Sequence, residues 1–259
     1  MIFSIIVNTH NQHKTINRCI KSCLTQNFKK KYEIIVIDTS EKKLINKYLK
    51  SKKISYFHYK NFSKFPELNQ LKKVYLGFKK SKGQWICFMD GDDYFKKNKL
   101  KFIHENYNLN NKAVIQDFSS NFIEINKKKI IPKRKFYKNN WLYKRTISFW
   151  PEIFGTSSLS VNKSFLKNFF KSIKINKWNF LAIDALLILY ALNKKKYYFD
   201  KNILTTKSIS DNNIGNKYIL LSKKYWLRRK QQIKYWEIIS KRKIYNFDKL
   251  ITLIINIFI

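Results

Sequence analysis

The sequence predicts an α/β domain with a mainly parallel central sheet, followed by a basic helical tail. Three observations support this fold class. Short apolar segments alternate with amphipathic helical segments in the first half of the chain, as in strand–helix–strand units with right-handed crossovers. Acidic residues, which number only 16 among 259, follow directly after two of the apolar segments. Near the C-terminus the alternation gives way to a long segment rich in aromatic residues and lysine.

The first half supplies four strands and three helices. Its apolar runs are continuous rather than alternating, which is typical of parallel strands that are buried on both faces. Gly83 lies just past the third helix and predicts that the helix has ended. The predicted strands are Phe3–Val7, Tyr32–Ile37, Ile54–Tyr59 and Trp85–Met89, and the predicted helices are Thr15–Gln26, Lys42–Leu49 and Leu68–Lys80.

The second half is less regular. The segment from Phe122 to Ile131 predicts a hairpin at the sheet edge, and the aperiodic segment Pro132–Trp150 predicts a loop over the sheet. We assign residues 1–212 to the α/β domain and residues 213–259 to the helical tail. The other predicted elements are strands at Ala113–Phe118, Phe154–Val161, Tyr197–Phe199 and Ile203–Lys207, helices at Asn162–Phe170, Trp178–Leu192 and Lys217–Lys243, and a break at Ser210–Gly215.

Bulk composition excludes several classes of protein. A hydrophobic content of 44% and an aromatic content of 17% exclude intrinsic disorder. No run reaches the roughly 18 to 20 apolar residues of a membrane-spanning helix, and the first residues lack the features of a signal peptide. Together with three cysteines that fit buried core positions, this predicts a cytoplasmic location, with peripheral association at the inner face of the plasma membrane as the alternative.

The formal net charge of +38 has two interpretations. It reflects either a lysine-rich composition on a solvated surface or a preference for anionic partners. Nucleic acid is the less favoured partner, because arginine, which binds phosphate in a forked geometry, is scarce.

The positions of the acidic residues point to a binding site. Asp38 follows the second predicted strand, and Asp90, Asp92 and Asp93 follow the fourth. Ligands of open α/β sheets bind beyond the carboxyl ends of the strands, so these carboxylates are expected in one crevice. Clustered carboxylates repel one another unless a cation neutralises them, and oxygen ligands select Mg²⁺ or Mn²⁺. The alternative is a solvated Asp-Gly turn.

Asp184 is unusual because it interrupts an otherwise apolar helix, FLAIDALLILYAL. An unpaired buried carboxylate is costly. Asp184 is therefore expected either to pair with a lysine or to face a cleft, where partial burial would suit a general base.

Five segments, taken in order, resemble glycosyltransferase family 2. They are FSIIVNTHNQHKTINRCIKSCLTQNF, YEIIVIDTS, SKGQWICFMDGDDYF, FGTSSLSVNKSFL and LAIDALL, and they cover the chain from Phe3 to about Leu192. The resemblance implies the GT-A fold, a Rossmann-like nucleotide-binding sandwich. It also implies metal-dependent transfer of a sugar, with inversion, from a nucleotide-diphosphate sugar to an acceptor hydroxyl, with a UDP-sugar as the default donor.

The resemblance also implies roles for residues that bind the nucleotide sugar. Thr9 and Asn11 would border the nucleotide, and Asp38 would bind its base or ribose. Asp90 and Gly91 belong to the D-x-D motif; Asp90 would lie at the ribose, and Gly91 would also contact the nucleotide sugar.

The same resemblance places Asp92 on the Mg²⁺ or Mn²⁺ ion and has Asp93 shape the site. Asp184 stands where the family places its catalytic base. An inverting displacement needs this base opposite the leaving group and a cation on the departing diphosphate.

Several nucleotide-contacting positions depart from the family pattern, namely Asn8, His10, Thr39 and the pair Val74-Tyr75. Two alternatives therefore remain beside an active transferase: a catalytically inactive GT-A domain that binds nucleotide sugar, and a basic nucleic-acid-binding protein. For the transferase, the expected acceptor is a glycan or a lipid-linked glycan of the cell surface. The aromatic and basic C-terminal helix is expected either to contact an anionic membrane or to pack on the catalytic domain.

Overall fold

The computed structural model describes residues 1–107, 111–123, 127–131, 153–209, 218–219 and 222–259. These residues form one nine-stranded sheet covered by helices. The strands are β1 (Phe3–Thr9), β2 (Tyr32–Asp38), β3 (Ile54–His58), β4 (Trp85–Asp90), β5 (Tyr94–Phe95), β6 (Val114–Ile123), β7 (Lys128–Ile130), β8 (Leu159–Asn162) and β9 (Tyr197–Ile209). The helices are α1 (Ile16–Leu24), α2 (Pro66–Lys80), α3 (Lys99–Tyr107), α4 (Lys163–Ser172), α5 (Ile183–Asn193), α6 (Lys223–Ser240) and α7 (Phe247–Phe258).

The sheet has a parallel half and a mixed half. Its strand order is β3-β2-β1-β4-β8-β6-β9-β5, and β7 pairs with β6. Strands β3, β2, β1 and β4 are parallel to one another, while β8 runs antiparallel to both β4 and β6. The register places Thr9 beside Asp38 and Asn8 beside Asp90. The carboxyl ends of β1, β2 and β4 therefore meet at one edge, as predicted.

Two hydrophobic layers enclose the parallel strands. Alternate residues of β1 point to opposite faces, as a strand requires. Ile6 packs into the layer that contains residues of α2, α4 and α5, and Ile5 and Val7 pack into the layer with α1 and α3. The three cysteines are free and buried, in agreement with their interpretation as core residues.

The helix predicted at Lys42–Leu49 is wrong. The segment forms only a 3₁₀ turn at Lys47–Lys50, whose first residues are capped by the Asn46 side chain. Leu44 is buried but Ile45 is 99% exposed, so this segment has no apolar stripe to hold a helix against the core.

The predicted helix Trp178–Leu192 is shorter than expected, because α5 begins only at Ile183. The backbone N–H of Phe180 donates to Oε1 of Gln231 on α6, at 3.0 Å. A contact from a distant helix thus holds the chain before α5 in a non-helical conformation, and sequence periodicity could not reveal it.

Other predictions in the second half are corrected in detail. A 3₁₀ turn at Thr156–Ser158 replaces the start of the strand predicted at Phe154–Val161. The two short strands predicted near Tyr197 and Ile203 are one continuous strand, β9, and β5 and α3 were not predicted. The β6–β7 hairpin is confirmed. The predicted loop Pro132–Trp150 and the predicted break Ser210–Gly215 lie outside the described residues. The domain boundary at 212/213 also lies outside them and stays a prediction.

The described helices include none that is long and apolar enough to cross a membrane.

Gly83 is required for close packing against β1; it does not end the helix in a left-handed backbone conformation. A Cβ at this position would lie 2.4 Å from the carbonyl carbon of Phe3 and 2.4 Å from the nitrogen of Ser4. We expect Gly83→Ala to destabilise the fold by about 1–3 kcal/mol, because β1 would have to move. Thermal unfolding measures the loss, and Lys82→Ala at the neighbouring exposed position should change stability by no more than about 0.5 kcal/mol. Equal melting temperatures for the two variants would contradict this explanation.

Candidate functional site

Acidic and polar side chains collect beyond the carboxyl ends of β1, β2 and β4, a region that we call the crevice, and Asp90 lies there at the end of β4. The Oδ1 atom of Asp90 accepts hydrogen bonds from Asn8 Nδ2 at 2.7 Å and from Gln70 Nε2 at 2.9 Å. The backbone N–H of Asp90 donates to the Ser157 hydroxyl at 2.9 Å. Two amide groups from different elements thus set the orientation of this carboxylate.

Asp38 closes one side of the crevice at the end of β2. It is fully buried, and its carboxylate accepts hydrogen bonds from the backbone and hydroxyl of Ser40 and from the Tyr56 hydroxyl, at 2.8, 2.5 and 2.8 Å. Burial, and then the hydrogen bond to Asp38, raise the pKa of Tyr56, so the phenol remains a donor. These contacts hold the loop that follows β2 against the end of the sheet.

Thr9 and Asn11 form the loop after β1. Asn11 adopts a left-handed backbone conformation (φ 55°), and its Oδ1 accepts a hydrogen bond from the Glu41 backbone at 3.0 Å. Its own N–H donates to the Ser40 hydroxyl at 2.8 Å. The Thr9 hydroxyl is buried and has no hydrogen-bond partner among the described residues. Buried hydroxyls are usually satisfied, so Thr9 presents an unused polar group beside the crevice.

Gly91 lies directly against Thr9. A Cβ on Gly91 would be 2.7 Å from the Thr9 hydroxyl oxygen and 2.5 Å from Gln12 Oε1. The D-x-D turn is therefore packed tightly against the loop after β1, and a side chain at its central position would displace one of them.

Asp93 is tied to the protein, whereas Asp92 is only partly buried. The carboxylate of Asp93 accepts hydrogen bonds from the Ser157 hydroxyl at 2.6 Å and from the Ser208 backbone at 2.8 Å. Asp93 thus connects the end of β4 to β9. The backbone carbonyl of Asp92 accepts a hydrogen bond from Arg18 Nη2 at 3.0 Å, which fixes the backbone of the turn.

The acidic cluster raises the pKa values of its own members. Burial, followed by the charge of Asp90, raises the pKa of Asp92 to about 6, although Lys207 and Gln12 act in the opposite direction. Burial raises the pKa of Asp90, and the charge of Asp184 adds to this effect. Burial and the neighbouring carboxylates raise the pKa of Asp93. A site of this kind favours a positively charged ligand.

Asp184 lies in the first turn of α5 and is buried, with 8% of its surface exposed. Burial raises its pKa, while the charges of Arg228 and Lys207 oppose the increase. Within the described part of the chain Asp184 forms no ion pair, so the predicted pairing with lysine is not observed there. The charge of Asp184 also raises the pKa of Asp90, so the start of α5 and the turn after β4 are near enough for their carboxylates to interact.

Two residues of α2 contribute to the crevice but were not identified from the sequence. Lys73 is buried, and its Nζ atom donates to the Thr9 carbonyl at 2.9 Å. Burial lowers the pKa of Lys73 to about 8, although the charges of Asp90, Asp38 and Asp92 act in the opposite direction.

The second residue is Gln70, which donates to Asp90 and lies one helical turn before Lys73, whereas Val74 is buried in the core. No pattern in the α2 sequence distinguishes this polar face from an ordinary solvated one.

Two cations from distant segments also act on the site. Lys207 belongs to β9 and Arg228 to α6, and both charges lower the pKa of Asp184. The Arg228 guanidinium also lies 4.5 Å from the ring centroid of Tyr218. Helix α6 therefore packs on the domain, as one of the two expectations had it, and places the charge of Arg228 near enough to act on Asp184, a contribution that was not predicted from the sequence.

The described residues contain no group of three or more His, Cys, Asp or Glu side chains placed to hold a metal ion. Asp93 is engaged by Ser157 and Ser208, and Asp90 by two amides. Asp92 is therefore the carboxylate best placed for a metal whose remaining ligands would come from water and substrate phosphates, as Mg²⁺ commonly requires.

The mixed α/β sheet carries its acidic residues beyond the carboxyl ends of parallel strands, which is where open sheets of this class bind their ligands. The sequence profile named "Glycosyl transferase family 2" matches residues 4–170. The chain belongs to this family, as its motifs indicated.

Curated relatives match a limited part of the chain. An uncharacterized glycosyltransferase of Rickettsia bellii is 36% identical over 111 residues, which is 40% of this chain and 15% of that protein. One of Mycoplasma genitalium is 36% identical over 106 residues, 39% of this chain and 34% of that protein. Poly(ribitol-phosphate) beta-N-acetylglucosaminyltransferase TarS of Staphylococcus aureus is 29% identical over 116 residues, 41% of this chain and 20% of TarS. The matches thus span about a third or less of each relative.

Solved structures show the same fold. A crystal structure of S. aureus TarS 1–349 in complex with UDP-GlcNAc matches with a TM-score of 0.64 and 17% identity, over 91% of this chain and 66% of that chain. The corresponding complex with UDP matches with a TM-score of 0.61 and 17% identity, over 91% of this chain and 65% of that chain. The predicted GT-A fold class is confirmed.

Proposed function

We propose that this chain is an inverting glycosyltransferase that moves a sugar from a UDP-sugar to an acceptor hydroxyl. The observation that carries the proposal is the convergence of Asp90 and Asp92, at the end of β4, with Asp184, at the start of α5, in one crevice. UDP-GlcNAc is the first donor to test, because a structure of similar fold contains it.

In the proposed reaction Asp184 acts as the general base. Its carboxylate accepts the proton of the acceptor hydroxyl while the acceptor oxygen forms a bond to the anomeric carbon. The bond between that carbon and the diphosphate oxygen breaks, and UDP leaves on the opposite face. A carboxylate whose pKa is raised by burial is a stronger base than an exposed one.

The binding roles proposed for the other residues follow their positions. Thr9, Asn11 and Asp38 would border the base and ribose, and Asp90 and Gly91 would lie at the ribose. Asp93 would hold the turn in shape through Ser157 and Ser208. Lys73, beneath Thr9, would offset the negative charge of the cluster.

The residues present fit a divalent cation, Mg²⁺ or Mn²⁺. Asp92 would hold it, with the nucleotide phosphates completing its ligands. Such an ion stabilises the negative charge of a departing diphosphate. The mutual elevation of the carboxylate pKa values supports this proposal, because an added positive charge would relieve the repulsion.

For the acceptor we propose an anionic or lipid-linked glycan of the cell envelope. The net charge of +38 favours a polyanionic acceptor. The name of TarS, poly(ribitol-phosphate) beta-N-acetylglucosaminyltransferase, describes an enzyme that acts on such a polymer. The alternative of an inactive nucleotide-sugar-binding domain is kept because Asn8, His10 and Thr39 depart from the family pattern.

The experiment compares thermal stabilisation by UDP, UDP-GlcNAc and other nucleoside diphosphates, with and without Mn²⁺, and measures UDP release from UDP-GlcNAc. At about 100 times Kd a ligand adds ~2.7 kcal/mol of stability. We expect a shift specific to uridine nucleotides together with UDP release. Stabilisation without release would support the inactive alternative, and salt-sensitive RNA binding without any nucleotide shift would support the nucleic-acid alternative.

The pKa of Asp92 predicts how this binding depends on pH. Only the ionised carboxylate binds a cation, so metal-dependent stabilisation by UDP should weaken as pH falls through about 6. The affinity should fall by up to about tenfold per pH unit below that value. Titration of UDP at pH 5 to 8 with constant Mn²⁺ measures the effect, and the same titration of Asp92→Asn is the control. Unchanged affinity down to pH 5 would contradict the role given to Asp92.

A further inference from the structure

Helix α7 is oriented with its polar side towards the protein. Asp248 forms a two-pronged ion pair with Arg229 of α6, at 3.0 and 2.6 Å. Lys249 pairs with Glu237 of α6 at 2.6 Å. Thr252, which follows Asp248 by one turn, is 1% exposed. The side of the helix that is usually apolar is therefore polar here.

The opposite side of α7 is apolar and faces outward. Residues spaced by three and four positions lie on one side of a helix. We call the resulting surface the outer stripe, and its members are 42 to 81% exposed: Phe247, Leu250, Ile251, Leu253, Ile254, Ile257 and Phe258. An exposed apolar stripe of this length is unusual for a helix bathed only in water.

The aromatic residues of α6 pack on the catalytic domain, which is one of the two roles expected for this helix from the sequence. Tyr235 is 1% exposed, donates to the Leu186 carbonyl at 3.0 Å, and lies 4.9 Å from Trp178 between ring centroids. Trp226 is 7% exposed. Helix α6 is thus packed on the domain, and α7, on α6, is the C-terminal element that presents apolar side chains.

The C-terminal segment that carries the outer stripe is strongly basic. Residues 223–259 contain ten basic and two acidic residues, a net charge of +8. Both acids, Glu237 and Asp248, are already paired with basic residues. Lys241, Arg242 and Lys243, in the connection to α7, are exposed. A surface that combines apolar side chains with exposed cations complements anionic lipid headgroups above an acyl layer.

We infer that the outer stripe of α7 lies in the interfacial layer of an anionic lipid bilayer. The ion pairs of Asp248 and Lys249 hold the inner side of α7 against α6, so the helix would meet the bilayer along its outer side. A second copy of the chain fits this face less well, because a symmetric contact would bring two segments of charge +8 together. The inference does not depend on the donor or on transfer activity.

The test is sedimentation of the chain with vesicles of 70% phosphatidylcholine and 30% phosphatidylglycerol, and with vesicles of phosphatidylcholine alone. The stripe variant carries Leu250→Ser, Ile254→Ser and Ile257→Ser. The matched control carries Ile45→Ser, Ile130→Ser and Ile131→Ser, which remove three exposed aliphatic side chains elsewhere. We expect the wild type and the control to bind anionic vesicles, and the stripe variant to bind at least about tenfold more weakly.

The charge contribution is measured separately. Wild type should bind neutral vesicles at least about tenfold more weakly than anionic ones, and a variant with Lys241→Ser, Arg242→Ser and Lys243→Ser should lose part of the binding to anionic vesicles. Circular dichroism melting checks that every variant is folded. Equal binding by the stripe variant and the control would overturn the inference. So would a wild type that binds no vesicles but forms dimers that the stripe substitutions dissociate in light scattering.

Discussion

Asp184→Asn is expected to lower the rate of UDP release from UDP-GlcNAc by about 10²- to 10⁴-fold, the usual contribution of a general base. Asparagine keeps the size of the side chain and its hydrogen bond from the Ala185 backbone, but it cannot accept a proton from the acceptor. Stabilisation by UDP with Mn²⁺ should remain close to that of the wild type, because Asp184 is given no role in holding the nucleotide.

The control for this variant is Glu105→Gln, which neutralises an exposed carboxylate on α3. It should keep both UDP release and UDP binding. A rate within about threefold of the wild type for Asp184→Asn would assign the base to another group. Loss of UDP binding together with the rate would instead indicate that Asp184 supports the donor site.

Asp92→Asn is expected to remove the metal-dependent part of UDP stabilisation. At about 100 times the wild-type Kd this shift corresponds to ~2.7 kcal/mol, so its loss is readily seen in a melting curve. The unliganded variant should melt at or above the wild-type temperature near pH 7. The reason is that an amide removes one charge from a cluster in which burial and Asp90 already oppose ionisation of Asp92.

Asp184→Asn serves as the matched comparison for Asp92→Asn, since both replace one carboxylate in the same crevice. Asp184→Asn should lose turnover and keep nucleotide binding, whereas Asp92→Asn should lose turnover together with the metal-dependent part of nucleotide binding. If Asp92→Asn retained the full Mn²⁺-dependent shift, Asp92 would not be the metal ligand, and Asp90 would be the next candidate.

The parallel half of the sheet could be predicted from the sequence because its signals are local. Continuous apolar runs such as Phe3–Val7 and Tyr32–Ile37 are buried on both faces wherever they pair. Acidic residues placed directly after such strands must reach the same edge once the strands are parallel. The predicted crevice of Asp38 and Asp90 therefore required no knowledge of long-range contacts.

The remaining features were decided by contacts between distant residues. Lys73 resembles a surface lysine in sequence, and its burial under Thr9 depends on how α2 packs against β1. Arg228 acts on Asp184 only because α6 folds back onto α5. The sequence predicts Gly83 as the end of a helix, but the helix ends at Lys80, and only the packing shows that β1 leaves no room for a Cβ at Gly83.

The sequence by itself determined the parallel strands, the edge at which the acids collect and the family to which the chain belongs. For the last helix, α7, the sequence could not tell which side faces the protein. The tertiary structure decided that question through the pairs Arg229–Asp248 and Glu237–Lys249. The physical reason is that a helix pattern defines two faces, whereas the partner that each face contacts depends on residues elsewhere in the fold.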